Sequence, residues 1–258
     1  MSTIIYPSPI FGPVHSRRLG LSLGINLMPN DGKICTFDCV YCECGFNSTH
    51  RPRQRRPTRE EVSSRLRETL ERMRADGQCP DVLTFAGNGE PTAHPDFAAI
   101  IGDTLLLRDE LAPSAKVSVL SNSTMLHKEE VRAALSRIDN NILKLDTVDI
   151  DYIRQVDRPT GAYDVERIIG WMEQFHGHVV VQTMFMTGST HGFDVDNTGD
   201  AYVRPWIAAL QRIRPREVMI YTIDREPPDH DLRKAPREVL DRICQEVEAA
   251  GIKCSASY

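Results

Sequence analysis

Nowhere does this sequence run to about 18 consecutive apolar residues, which removes a membrane-spanning helix from consideration. From Met1 to Pro13 there is neither a basic start nor a long apolar stretch. No secretory leader is read, and a cytoplasmic location is the default expectation. Positive charge is not in excess: 31 Lys and Arg stand against 36 Asp and Glu, a formal net charge of −5. That argues against bulk nucleic-acid binding while leaving a local basic patch open. Glycine and proline number only 16 each in 258 residues, so no low-complexity class applies. Cysteine is not spread as a disulfide framework requires. There are seven, an odd count, and Cys35, Cys39, Cys42 and Cys44 fall within ten residues, leaving Cys79, Cys244 and Cys254 apart. Such clustering without a secretory leader points to metal.

What is present suits a soluble chain with a sizeable core, 41% hydrophobic and 26% charged, and one domain over 1–258 is expected. Strand-like runs at 22–27, 82–86, 116–120, 141–145, 178–186 and 217–223 alternate with helix-like stretches at 58–76, 96–110, 128–137, 149–155 with 164–176, 201–214 and 236–250. Thr58-Arg59-Glu60-Glu61 reads as a capping box opening the first helix, and Gly251 as a stop after the last, before a short strand at 252–256. Strands alternating with helices imply a parallel sheet with right-handed crossovers. Six units are too few for a closed eight-stranded barrel. The expected fold is α/β, a partial (βα)6 TIM-like barrel with a mostly parallel sheet.

The chemically conspicuous residues share one address, the C-terminal end of a strand. The cysteine loop, 28–57, follows the first strand. Gly87-Asn88-Gly89-Glu90-Pro91 follows the second and Ser121-Asn122-Ser123 the third. Lys144 and Asp146 end the fourth, Thr187 to His191 follows the fifth, and Asp224-Arg225-Glu226-Pro227 follows the sixth. Ligands bind at this face of parallel α/β folds.

Iron–sulfur clusters are held by thiolates. Cys35, Cys39 and Cys42 supply three, which leaves one iron of a four-iron cluster without a protein ligand, and an open position separates a catalytic metal site from a closed structural one. The segment Cys35-Thr36-Phe37-Asp38-Cys39-Val40-Tyr41-Cys42, with an aromatic before its last cysteine, resembles the radical SAM superfamily. Phe85-Ala86-Gly87-Asn88-Gly89-Glu90-Pro91-Thr92 resembles that family's Gly-Gly-Glu-Pro motif, with Asn88 inserted. His15-Ser16-Arg17-Arg18-Leu19-Gly20, Ser22 to Asn26, Val181 to Met186 and Ile220 to Arg225 look like a bacterial and archaeal branch loosely similar to the wyosine-base tRNA synthases.

The resemblance implies a [4Fe–4S] cluster on Cys35, Cys39 and Cys42, with S-adenosylmethionine chelating the open iron. Reductive cleavage would then give a 5′-deoxyadenosyl radical that abstracts hydrogen from an unidentified substrate. It implies a one-electron donor of flavodoxin or ferredoxin type, Tyr41 near the adenine, and Gly87, Asn88, Gly89, Glu90 and Pro91 near the methionine amino group. Glycine suits a backbone that must approach its ligand closely. Asn122 falls where the family directs a polar side chain at the methionine or ribose, although Asn also serves as a cap or turn residue.

Lys144 and Asp146 alternate onto one strand face. They are read as partners of the methionine carboxylate and ribose, or as an ion pair with each other. Gln182, with Met184 and Met186 on the same face, is a ribose or substrate contact beside a dry wall, or ordinary core. Tyr221, Asp224, Arg225 and His191 are substrate-side candidates. Arg51, Arg53, Arg55, Arg56 and Arg59 form a run with no acid before Glu60, suited to a phosphate-bearing or RNA substrate or to a solvated, salt-bridged loop. Two other classes stay open: an iron–sulfur electron-transfer protein without SAM chemistry, and a zinc-stabilised RNA-binding module using Cys35, Cys39, Cys42 and Cys44.

Overall fold

A computed structural model describes residues 3–16 and 20–258; Arg17, Arg18 and Leu19 of the lead-in motif lie outside them. The elements in chain order are β1 (Ile10–Ser16), β2 (Gly20–Ile25), α1 (Arg59–Ala75), β3 (Val82–Phe85), α2 (Phe97–Leu111), β4 (Lys116–Ser121), α3 (Glu129–Leu135), β5 (Asn140–Lys144), α4 (Ile150–Tyr152), α5 (Val165–Glu173), β6 (Val180–Met184), β7 (Met186–Thr190), β8 (Phe193–Asp194), α6 (Asp200–Ile213), β9 (Glu217–Tyr221), β10 (Leu232–Lys234), α7 (Arg237–Ala249) and β11 (Cys254–Ser257).

Eight strands form one curved sheet in the order β1-β2-β3-β4-β5-β6-β9-β11. Every neighbouring pair is parallel except the β1–β2 hairpin. This is the expected partial barrel, with β11 as a seventh parallel strand. The α1 capping box is formed: the Thr58 side chain accepts from Glu61 N, and the Glu61 carboxylate accepts from Thr58 N. Val62, Leu66, Leu70 and Met73 form the buried stripe of α1. Gly251 follows α7 at φ +82°, as a helix stop requires.

Strand alternation decides what faces inward. Leu23, Ile25, Leu83, Phe85, Val117, Val119, Leu143, Val181 and Val218 point outward into the core shared with the helices. Their alternates Ser22, Gly24, Thr84, Ala86, Leu120, Ile142, Gln182 and Met219 line the barrel interior. The inner residues of β2 and β3 are small, which leaves room on that side for the Phe11 ring of β1 and for part of the cavity.

Three parts of the fold were not anticipated. The first is β1, which carries Phe11 across Gly24; a Cβ at Gly24 would sit 2.2 Å from the Phe11 ring. The second is a small sheet of β7, β8 and β10. The third concerns 178–186, expected as one strand, which ends at Met184. There the Asn197 side chain donates to Met184 O (2.9 Å) and accepts from Met186 N (3.1 Å), and the chain turns away into β7.

Beyond β3, His94 is buried and pins the loop leading into α1. Its Nδ1 accepts from Asp96 N (3.1 Å), so Nε2 carries the proton and donates to Pro57 O (2.9 Å). A second proton on the ring would break the Asp96 bond, and burial lowers the His94 pKa below its usual 6.5. A depressed histidine contributes stability that is present above pH 6.5 and is lost as pH falls through the folded-state value. The thermal midpoint of the wild type is expected to fall on going from pH 7 to pH 5, with part of that slope removed in His94→Gln. Parallel wild-type and variant curves would refute the assignment.

Candidate active site

The cysteine loop is wired to two neighbouring strand ends. Ile34 N donates to Asn88 O (3.0 Å), and Ile34 forms a parallel bridge with Gly89. On the other side Asp38 N donates to Asp157 O (3.0 Å) and Val40 N to Val156 O (2.9 Å), while Phe37 bridges Pro159. Within the loop Asn47 acts as a template. Its side chain accepts from Cys35 N (3.1 Å) and donates to Cys35 O (3.2 Å) and Phe37 O (3.1 Å).

Cys35, Cys39 and Cys42 are half-buried and unoxidised. Burial first, then the charge of Glu90, pushes the Cys35 thiol up to about 12. Burial likewise raises Cys39, with Cys42 and Cys35 adding to it. The neighbouring Cys44 thiol, which donates to Gly87 O (3.5 Å), lowers Cys42 and is itself raised. The three sulfurs therefore feel one another. Yet among the described residues no three His, Cys, Asp or Glu side chains converge closely enough to hold one metal ion. A zinc site from Cys35, Cys39, Cys42 and Cys44 needs such convergence. A cubane places each thiolate on its own iron, so its three thiols need not converge on one point. The donor set is all-thiol and three in number, as a cluster with one open iron requires.

The glycine motif packs against this loop. Gly87 and Gly89 hold φ +134° and +137°. A Cβ at Gly89 would lie 1.8 Å from Ile34 O, so this glycine admits the backbone of the cysteine loop itself. Asn88 is fully buried, and its side chain donates to Tyr6 O and Pro29 O and accepts from Tyr6 N, each at 2.8 Å. Glu90 is buried with both carboxylate oxygens occupied. Oε1 accepts from Thr92 and from Ser121 Oγ (2.8 Å), and Oε2 from Asn122 N (2.7 Å). Asn88 and Glu90 thus position the motif through protein contacts, and Pro91 is buried at the start of a short 3-10 turn. The Gly87 backbone faces the cavity. Asn122 directs Nδ2 at Thr36 Oγ1 (2.8 Å) and at Cys35 Sγ (3.6 Å).

Tyr41, Lys144 and Asp146 come together, joined by Asp157, which the sequence reading passed over. Lys144 Nζ contacts Asp146 and lies 3.0 Å from Asp157 Oδ1. The Tyr41 hydroxyl donates to Asp146 (2.5 Å), and Lys144 sits 4.8 Å from the Tyr41 ring centre. Burial raises the Asp157 pKa. The ion-pair reading of Lys144 and Asp146 is thus realised in this buried cluster, with the Tyr41 ring left facing the cavity.

That cavity measures about 500 Å³ and runs from the barrel interior to the cysteine loop. Tyr41, Cys42, Cys44, Gly87, Gln182, Met184, Tyr221, Asp224 and Arg225 all reach it. Gln182 is 9% exposed, and its amide has no hydrogen-bond partner among the described residues. Met186 instead packs with Val40 and Tyr152, and His191 turns between β7 and β8. At the mouth Arg225 donates to Glu43 (2.8 Å) and to the Tyr6 hydroxyl (3.2 Å), joining the β9 end, the cysteine loop and the N-terminal segment. Of the arginine run, Arg55 pairs with Glu61 and Arg59 with Asp103.

A family model described as the radical SAM superfamily matches residues 30–201. The UPF0026 protein MJ1312 of Methanocaldococcus jannaschii is 28% identical, covering 90% of this chain and 69% of its own length. The UPF0026 protein slr1464 of Synechocystis is 31% identical, covering 85% and 77%. Among solved structures, a radical SAM methyltransferase from Sphaerobacter thermophilus superposes with a TM-score of 0.67 at 16% identity, over 92% of this chain and 66% of that one. No helix of the described residues is long and apolar enough to cross a membrane.

Proposed function

The chain belongs to the radical SAM superfamily, and from that premise we propose that it reductively cleaves S-adenosylmethionine and uses the product radical to abstract hydrogen from a substrate enclosed in its barrel. The observation that carries this reading is three half-buried free thiols on one loop docked against the glycine motif, with Cys42 opening onto the barrel cavity. Cys35, Cys39 and Cys42 would hold a [4Fe–4S] cluster, which supplies the electron and the open iron for that cleavage.

The chain's own groups divide the remaining work. Asn122 Nδ2 donates toward the Cys35 sulfur and steadies its negative charge. The Tyr41 ring, fixed from behind by Lys144, Asp146 and Asp157, forms a flat wall suited to a nucleoside base. Gln182 offers an amide with both functions free among the described residues. Leu120, Ile142, Met184 and Met219 make part of the inner wall apolar, which would help keep water out when a substrate is bound. The Arg225–Glu43–Tyr6 bonds close the mouth. Electrons would come from a flavodoxin- or ferredoxin-type donor.

Anaerobic reconstitution with iron and sulfide, reduction with dithionite and chromatography after adding S-adenosylmethionine tests the proposal. It expects 5′-deoxyadenosine in excess of the enzyme. A reduced four-iron cluster in a protein that neither binds S-adenosylmethionine nor cleaves it would replace this reading with electron transfer alone.

A further inference from the structure

Lys33 is the only lysine or arginine between Arg18 and Arg51. Its side chain is 1% exposed. Nζ donates to Gly45 O at 2.6 Å and lies 3.3 Å from Asp38 Oδ1. Both bonds hold the ammonium group among the ligand cysteines: Asp38 directly precedes Cys39, and Lys33 lies two residues before Cys35.

Burying an ammonium costs several kcal/mol unless its charge is matched. The one carboxylate nearby matches it poorly. Asp38 Oδ1 stands at 3.3 Å and accepts a shorter bond, 2.7 Å, from Asn47 N. The loop's other acids are engaged elsewhere, Asp31 by Arg53 N and Gln54 N and Glu43 by Arg225, which leaves the cysteine thiolates as the remaining negative charge. Loop closure alone does not need a cation, because a neutral amide donor could bond Gly45 O equally well.

Resting on the cluster reading above, we infer that Lys33 is a positioning residue that holds a fixed positive charge against the cysteine sulfurs, favouring the more negative, reduced state of the group they bind. A buried cation favours whichever state carries more negative charge, so its removal shifts the reduction equilibrium toward the oxidised form. Asp38 opposes Lys33, so neutralising it shifts the equilibrium the other way.

The test is the midpoint potential of the reconstituted protein, titrated with dithionite and followed by electron paramagnetic resonance. Lys33→Gln keeps a donor and loses the charge; Lys33→Arg keeps the charge. Lys33→Gln is expected to lower the reduced-to-oxidised ratio at fixed potential about tenfold, a shift of about 59 mV for one electron. Lys33→Arg stays near wild type, and Asp38→Asn moves in the opposite direction. A Lys33→Gln potential within scatter of wild type, or a Lys33→Arg shift as large, overturns the inference. If Lys33→Gln takes up no iron, a fully loaded Lys33→Arg supports the role of charge, and loss in both variants overturns it. Failure of the cluster reading is distinct: the wild type itself then takes up no four-iron cluster, and the role of Lys33 falls with it.

Discussion

On the proposed function, replacing Cys42 by alanine is expected to lower 5′-deoxyadenosine formation by about a thousandfold or more, while leaving the protein folded. The size of the loss follows from how the thiols act. As ligands of one cluster, Cys35, Cys39 and Cys42 would be members of one unit, and groups that act as a unit lose nearly everything when one is removed. Cys42 is also the thiol placed at the cavity, adjoined by Lys33 and Cys44. A double variant, Cys39→Ala with Cys42→Ala, is therefore expected to be no worse than either single change. Folding should survive because the loop is held by backbone and Asn47 bonds that do not involve the sulfur. Iron content, the visible absorption of the reconstituted protein and product formation should fall together. A variant that keeps wild-type turnover would show that Cys42 is not a ligand, and the assignment of the open iron would have to be rebuilt on Cys44.

Gly89→Ala is expected to destabilise the protein by roughly 2–6 kcal/mol. Two effects add. A non-glycine residue forced into such a backbone region costs about 1–3 kcal/mol, and overpacking a filled site costs about 1–3 kcal/mol more. The overlap is with backbone, Ile34 O at 1.8 Å and Cys35 N at 3.2 Å, so no side-chain rotation relieves it. Relief requires the start of the cysteine loop to move, and Cys35 moves with it. Iron uptake should therefore fall even where the variant stays folded. Gly251→Ala is the control: it also has positive φ, at +82°, but no atom within 4 Å of the added methyl. Urea unfolding midpoints at unchanged slope separate the two. A Gly89→Ala protein as stable as Gly251→Ala and fully loaded with iron would mean that the Ile34–Cys35 segment is soft, contrary to the bonds drawn here.

The motifs were legible because their chemistry is local. Three cysteines at spacings of four and three, and glycines beside an acid at a strand end, carry their signal within eight residues each. The role of individual motif residues was less legible. Glu90 and Asn88 look like ligand contacts in the sequence, but in the fold their polar atoms bond Thr92, Ser121, Asn122, Tyr6 and Pro29. Gly89 serves a close backbone approach, as its residue type suggested, but the approaching chain is the cysteine loop. Lys33 did leave a trace, a single cation in a long stretch without others. Asp157 left none, because it enters the Lys144 cluster only through the π-helical turn Ile153–Asp157.

Alternating apolar and helical periods, with six strand ends bearing reactive residues, determine from sequence alone a parallel α/β partial barrel with its conspicuous residues at one face. Those are nearest-neighbour properties of a chain, written in hydrophobic period and residue type. Only the tertiary structure decided that β1 lays Phe11 across Gly24, that Asn197 ends β6 after Met184, and that Lys144 meets Tyr41, Asp146 and Asp157. Each depends on contacts between residues far apart in the chain, where the outcome is settled by packing and by satisfying buried polar groups rather than by any local pattern.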